Sequence, residues 1–465
     1  MELRIDRQAL VPVVQQIVDA LASRIRQGVV PPGARLPSIR RLARENLLSQ
    51  ASVHEACQRL VAQGLLASRH GSGFLVASGP LAWREPVDQF WPPGISYQQA
   101  GLGDGSPGAL ELGGGGLPES WRESDDLGYA IRQVTRTDMA GLFNYSTPMG
   151  LPALREQLSR RLKQFDIDAD ENLILTTTGV SHGLDLIVRT LLLPGSCVVV
   201  ESPGYSKLFD LLRLHKIDMI ELPRTPHGPD IAALECLLAM HRPNALFINS
   251  ACHNPTGSNL SLAVAQRLLE LAKEHAMLVI EDDVYADFQG STRVRLAALD
   301  ADVIYLGSFS KTLSSSLRVG FVVAGPCVIA RLSEVKGITS MGGSRFSEAV
   351  LTNLLANGAY RKLVQRQRQR LNADMAMTLQ LLDEADWEVF GKPAGGLFIW
   401  ARPPICDYGR LQRLARYSGI QLSSRTAFSP SGTDTDWLRI NVAHARDPKA
   451  LAFFHATALD RPQVS

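Results

Sequence analysis

The stretch 308–320, SFSKTLSSSLRVG, decides how this chain is read. One lysine, Lys311, stands among small hydroxyl residues directly after the apolar run 303–306, and Arg318 follows seven positions later. A lysine becomes an imine-forming nucleophile only if it can lose its proton and meet an aldehyde held in place. Ser308 and Ser310 can donate hydroxyls to an anion, and Arg318 can clamp a phosphate with its planar fork. Taken alone, the pattern also fits a solvated surface lysine, so partners for Lys311 must come from elsewhere in the chain.

Between 172 and 323, apolar strand-like runs alternate with helical stretches, the pattern of a mostly parallel, doubly wound sheet. In such sheets ligands lie beyond the carboxyl ends of the strands, so the residues after each run carry the argument. After 173–177, Gly179 permits a tight turn, and Val180 and Ser181 open a helix whose free amides suit a phosphate. The run 197–200 leads to ESPGY and Tyr205, and 245–249 leads to SACHNPTG and Asn254. After 277–280, EDDVY presents Asp282 and Tyr285, and 303–306 leads to Lys311 itself. An amide cradle, an aromatic plate, an amide donor, a carboxylate with a phenol, and an amine form the set that pyridoxal phosphate requires. In that reading Lys311 forms the imine with the aldehyde, Asp282 keeps the ring nitrogen protonated, and Tyr285 and Asn254 bond the ring's O3′. Ser308, Ser310, Arg318 and the helix amides neutralise the phosphate, and Tyr205 stacks on the ring.

Residues 107–458 resemble the fold type I aminotransferases through NPTG, EDDVY, SFSK and the arginine after it. The resemblance implies a large doubly wound α/β domain and a smaller α+β domain, the latter with GGLFIW, GIQLSS and LRINVA as short strands. NYSTPMGLPALR resembles the segment in which a tyrosine reaches the phosphate of the neighbouring subunit, a role that falls on Tyr145 and implies a homodimer. WLRINVA resembles the strand whose arginine binds the substrate carboxylate, a role that falls on Arg439.

The N-terminus has a different character. Residues 1–78 hold ten Arg, no Lys and five acidic residues, a net +5, which leaves the rest of the +2 chain at −3. A basic head on a slightly acidic body fits a nucleic-acid module fused to something else. Apolar residues at helical spacing over 11–27, a PPG turn at 31–33, and capping candidates Ser38 and then Ser49 or Ser52 predict three helices. A two-stranded wing follows, turning at Gly71 and Gly73. PPGARLPSIRRLA and GLLASRHGSGFLV resemble the winged helix-turn-helix of GntR-type transcription regulators. That resemblance directs Arg40, Ser49, Gln50, Ser52 and His54 toward DNA, with Arg69, His70 and Gly71 in the wing. Gln50 and His54 stand where such regulators often carry arginine, so their operator sequence does not transfer.

Glycine, proline and the absence of an apolar period, clearest in GLGDGSPG and GGGG, mark 79–120 as a flexible linker between a head at 1–78 and a body at 121–465. The basic run YRKLVQRQRQRL reads as a solvated helix face. Six cysteines without CxxC or metal-ligand spacing, no secretory h-region and no apolar run near 20 residues point to the cytoplasm, with neither metal nor membrane. Winged helix, linker and aminotransferase-like body together resemble the MocR subfamily of GntR-type regulators. The resemblance implies a dimer on paired half-sites of double-stranded operator DNA, sensing an amino compound or pyridoxal phosphate itself through an aldimine at Lys311. A catalytically active aminotransferase with a secondary head is the alternative, since every residue needed for transamination is present.

Overall fold

The structure is a computed structural model that describes residues 3, 5–6, 11–26, 29–31, 33–69, 73–77, 108–121, 124–289 and 294–459. The chain divides into two compact units, Met1–Pro92 and Pro93–Ser465.

In the first unit, helices α1 (Val13–Arg26), α2 (Ile39–Glu45) and α3 (Gln50–Ala62) are followed by the antiparallel strands β1 (Leu66–Arg69) and β2 (Gly73–Val76). The helix starts follow from side-chain chemistry. Ser38 Oγ accepts from the amide of Arg41 at 3.3 Å, and Ser49 Oγ accepts from that of Ser52 at 2.9 Å. Each serine satisfies an amide that the helix itself leaves unpaired. Of the two candidates for the α3 cap, Ser49 is the one used. Ile17, Val18, Leu21, Leu42, Val53, Ala56 and Leu60 close a small core, to which the wing adds Leu66 and Val76.

The second unit is built on an eight-stranded sheet. Its strands are β4 (Ile174–Thr177), β5 (Cys197–Ser202), β6 (Asp218–Thr225), β7 (Gly228–Pro229), β8 (Ala245–Ile248), β9 (Leu278–Asp282), β10 (Ile304–Ser308) and β11 (Gly320–Val323). They lie in the order β4-β11-β10-β9-β8-β5-β6-β7, with β11 antiparallel to both its neighbours and the hairpin partner β7 antiparallel to β6. Helices cover both faces, which is why the strands read as unbroken apolar runs. Along β5, Val198 and Val200 join one buried cluster and Val199 the opposite one, the period of two that a strand imposes. The smaller domain packs β12 (Glu388–Val389), β13 (Phe398–Arg402) and β15 (Leu438–Asn441) as a three-stranded antiparallel sheet against helices that include Pro448–Leu459.

Two features differ from the sequence reading. The GIQLSS strand, β14 (Ile420–Gln421), stands outside that sheet and pairs in parallel with β3 (Leu110–Glu111). Residues 108–121, whose composition reads as linker, are therefore built into the second unit, where Leu112 is fully buried. Glycine content signals flexibility and close backbone approach equally well, and here it serves the second. The run 360–371 lies on the helix Ala359–Glu384, which buries Tyr360, Leu363, Val364 and Leu371 and turns most of its basic residues outward. No helix among the described residues is long and apolar enough to cross a membrane, and none of their His, Cys, Asp and Glu side chains cluster as metal ligands.

Candidate cofactor and effector site

The carboxyl ends of β4, β5, β8, β9 and β10 open on a cavity of about 870 Å³. Val180, Ser181, Tyr205, Asn254 and Asp282 line it from four strand ends. Tyr285, Ser308, Ser310, Lys311 and Arg318 complete its floor, and Arg439 enters from the smaller domain.

At the end of β4 the chain must turn sharply into the helix Val180–Leu191. Gly179 makes the turn at φ 77°, a region that only glycine adopts easily, and no side chain caps the helix. A Cβ at Gly179 would lie 2.8 Å from the Arg318 guanidinium, so the backbone there and this arginine touch one space. Nearby, Ser310 donates its amide to Ser308 Oγ at 3.2 Å, while Ser310 Oγ is buried with no hydrogen-bond partner. An uncapped helix start, a guanidinium and an orphaned hydroxyl have one common requirement, an anion with several oxygens. A phosphate meets it.

Lys311 has an amine whose pKa falls from 10.5 to about 8, chiefly because the surrounding protein desolvates it and further because Arg439 and Arg318 repel its charge; Asp282 acts in the opposite sense. Its Nζ donates to the carbonyl of Gly115 at 2.8 Å. Burial raises the pKa of Asp282 to about 7, with Asp283 and Glu281 adding to the rise and the Val284 amide and Lys311 opposing it. A protonated ring nitrogen beside Asp282 would restore its charge, so the carboxylate and such a ring suit each other. Burial also raises Tyr285 and Tyr205 above the usual phenol value, which keeps both as hydrogen-bond donors. Asn254 has its orientation fixed, because Oδ1 accepts from Arg439 Nη1 at 2.7 Å and leaves the amide nitrogen as the donor.

The cavity is also lined by residues that the sequence reading did not single out, Glu201, Asn249 and His253 among them. Asn249 accepts from the Asn254 amide at 2.8 Å and donates to the Asp282 carbonyl at 2.7 Å, and its own amide bonds Glu201 at 2.8 Å. Burial alone would raise Glu201, but Arg224 and His253 outweigh it and hold its carboxyl down to about 2. Asn249 ties the ends of β8 and β9 together. The sequence signal was present in INSACHNPTG, but Asn249 is indistinguishable there from a turn former. The four-glycine run was missed for the reason already given: Gly113 O accepts from Arg439 Nε and Nη2 at 3.1 and 2.7 Å. Arg439 lies over the rings of Phe398 and Phe428 at 4.6 and 4.8 Å.

Tyr145 is 81% exposed and does not line the cavity of its own chain. In the head, Arg40, Ser49, Gln50 and His54 are exposed at α2 and the start of α3, with Ser52 half-buried. The His54 ring meets Phe74 of β2 edge-on, 6.3 Å between centroids. Arg69 ends β1; His70 and Gly71 lie outside the described residues.

The amine of Lys311 gives a test by pH. Capture of pyridoxal phosphate by cofactor-free protein needs the neutral amine, so its rate rises about tenfold per pH unit below about 8 and levels off above it. Stopped-flow absorbance between pH 6.5 and 9.5 measures this, and Arg439→Ala, which removes a repelling charge, shifts the midpoint upward.

Comparison with known proteins supports both units. Residues 110–452 match the aminotransferase class I and II family, and residues 13–76 match the gntR family of bacterial regulatory proteins. The HTH-type transcriptional regulator YisV of Bacillus subtilis is 28% identical over 463 residues, 94% of each chain. The probable rhizopine catabolism regulatory protein MocR of Rhizobium meliloti is 26% identical over 446 residues, 90% of this chain and 88% of that one. The 2-aminoadipate transaminase of Thermus thermophilus is 31% identical over 336 residues, 70% of this chain and 82% of the enzyme. Among solved structures, the kynurenine aminotransferase of Pyrococcus horikoshii superposes with a TM-score of 0.70 at 26% identity, covering 76% of this chain and 91% of that one. Fold and site thus define a transcription regulator with a DNA-binding winged helix and an aminotransferase body whose fold implies pyridoxal phosphate. The chain belongs to the aminotransferase class I and II family, and its two units together fit the MocR subfamily of GntR-type regulators.

Proposed function

We propose that this protein is a cytoplasmic, homodimeric regulator that binds paired operator half-sites through its two winged helices and senses an amino compound, or pyridoxal phosphate itself, at Lys311. One observation carries the reading: a winged helix shares its chain with a cavity in which an anion-ready helix start, an orphaned hydroxyl and a desolvated lysine converge. When bound, pyridoxal phosphate supplies an aldehyde that amines compete for and a ring that withdraws electrons.

The chain's own residues have the following roles. Lys311 is the resting tether, which an incoming amine replaces. Gly179, Val180, Ser181, Ser308, Ser310 and Arg318 hold the phosphate, joined by Tyr145 from the second subunit. Tyr205 covers one face of the ring, Asn254 and Tyr285 donate to its oxygen, and Asp282 holds the proton at its nitrogen. Arg439 takes the carboxylate of the amino compound with a fork that lysine cannot offer. Exchange of the tether favours one body conformation over another, and operator affinity changes only by the ligand's differential affinity for the two.

In the head, Arg40, Ser49, Gln50, Ser52, His54, Arg69, His70 and Gly71 face the duplex. Arg40→Ala weakens binding to all sequences and reduces the slope of log affinity against log salt by about 1, because it removes one phosphate contact; fluorescence anisotropy between 50 and 200 mM salt measures the slope.

A catalytically active aminotransferase is the second reading, favoured by the meeting of Lys311, Asp282 and Arg439 in one cavity. A steady-state assay with several amino and oxo acids separates the two. Substantial turnover without operator binding contradicts the regulator.

A further inference from the structure

The four glycines after Leu112 do more than approach the site. Five successive carbonyls, from Leu112 to Gly116, are all held by β15 and by Lys311 in the turn after β10. The carbonyls of Leu112, Gly114 and Gly116 accept from Asn441: its amide bonds the first at 2.8 Å, and its Nδ2 bonds the other two at 3.0 and 2.7 Å. The alternate carbonyls accept from the cations, Gly113 from Arg439 and Gly115 from Lys311. Asn441 is fully buried, and its Oδ1 accepts from the Ala443 amide at 3.0 Å, so its amide group can present only donors to the glycines. Arg439 and Asn441 are two residues apart on β15 and so share one face. The close fit explains the composition: a Cβ on Gly113 would lie 2.4 Å from the Ser423 backbone nitrogen, and one on Gly114 2.9 Å from the Glu111 carbonyl.

We propose that residues 113–116 form a strap, positioned by Asn441, which a ligand carboxylate displaces when it takes Arg439. This inference rests on the proposed role of Arg439 and adds the regulation of that site. A carboxylate that pairs along the Nε and Nη2 edge of the guanidinium takes the two donors that Gly113 O holds, so that pairing and the strap's bonds exclude each other. Losing them leaves a carbonyl without its partner in the protein interior, and the strap moves until water or another donor satisfies it. Asn441 still holds the other set of carbonyls, so the strap shifts about that anchor.

The experiment is hydrogen–deuterium exchange on the full-length protein loaded with N-(5′-phosphopyridoxyl)-L-alanine or with N-(5′-phosphopyridoxyl)ethylamine. These probes differ only in the carboxylate. The proposal expects exchange in the peptide covering 108–121 to be roughly fivefold faster with the alanine adduct than with the ethylamine adduct, the factor for one net hydrogen bond. In Asn441→Ala the difference disappears, because exchange is already fast with both adducts; should that variant fail to fold by thermal melting, the probe pair on the natural chain still decides. Equal exchange with two tightly bound adducts, or slower exchange with the alanine adduct, overturns the strap and leaves the cofactor site standing. Failure of both adducts to bind, read by equilibrium dialysis, overturns the strap and the cofactor reading together.

Discussion

Lys311→Ala abolishes the visible absorption of the protein-bound cofactor and makes operator binding insensitive to amino compounds. Lys311 is the lysine whose amine reaches the cavity floor with a pKa brought down to about 8. Lys336 is a natural control. It is fully buried and also lowered to about 8, chiefly by burial, yet it does not line the cavity. Its Nζ is engaged by the carbonyls of Pro148 and Thr176 at 2.6 and 2.8 Å, where it ties the helix Pro326–Ser340 to β4. Lys336→Met therefore lowers stability while leaving the absorption band of any folded protein intact. A band that survives Lys311→Ala and vanishes with Lys336→Met contradicts the assignment.

Arg439→Ala weakens the response to carboxylate-bearing amino compounds by about a hundredfold or more, since charge-assisted hydrogen bonds contribute about 1.5–3 kcal/mol each and a bidentate pair supplies two. Arg439→Lys recovers little of this loss, because an ammonium offers a point charge in place of a planar fork and does not stack between Phe398 and Phe428 in the same way. Capture of pyridoxal phosphate persists in both variants, for the phosphate contacts fall to other residues, around Gly179 and Ser310. Spectral titration with an amino acid and with its decarboxylated amine separates the effects. Equal losses for the two ligands would mean that Arg439 shapes the pocket without binding the carboxylate.

Much of this was legible in the sequence because its signals are local. Apolar runs bounded by turn residues located β4, β5, β8, β9 and β10 to within about two residues, and the residue after each run lined the cavity where the parallel topology demands it. Ser38 and Ser49 marked helix starts because capping is a contact between near neighbours. What escaped was non-local. The pairing of β3 with β14 joins residues some three hundred positions apart, and no periodicity within LELGGGGLP announces it. The same holds for Asn441: its donors meet carbonyls more than three hundred residues earlier, and in WLRINVA it reads as an ordinary strand residue. Asn249 and Glu201 line the cavity too, but they act by holding its other residues, a role for which residue type and spacing carry no mark.

The central claim joins the head to the cavity, and footprinting tests it most directly. DNA upstream of the protein's own gene and its neighbour is probed with full-length protein, with and without pyridoxal phosphate and a panel of amines, for the natural chain and for Lys311→Ala. The account predicts protection of paired half-sites whose midpoint shifts with the cofactor or an amine in the natural chain and stays fixed in Lys311→Ala. Protection that is identical under every condition and in both proteins would contradict it.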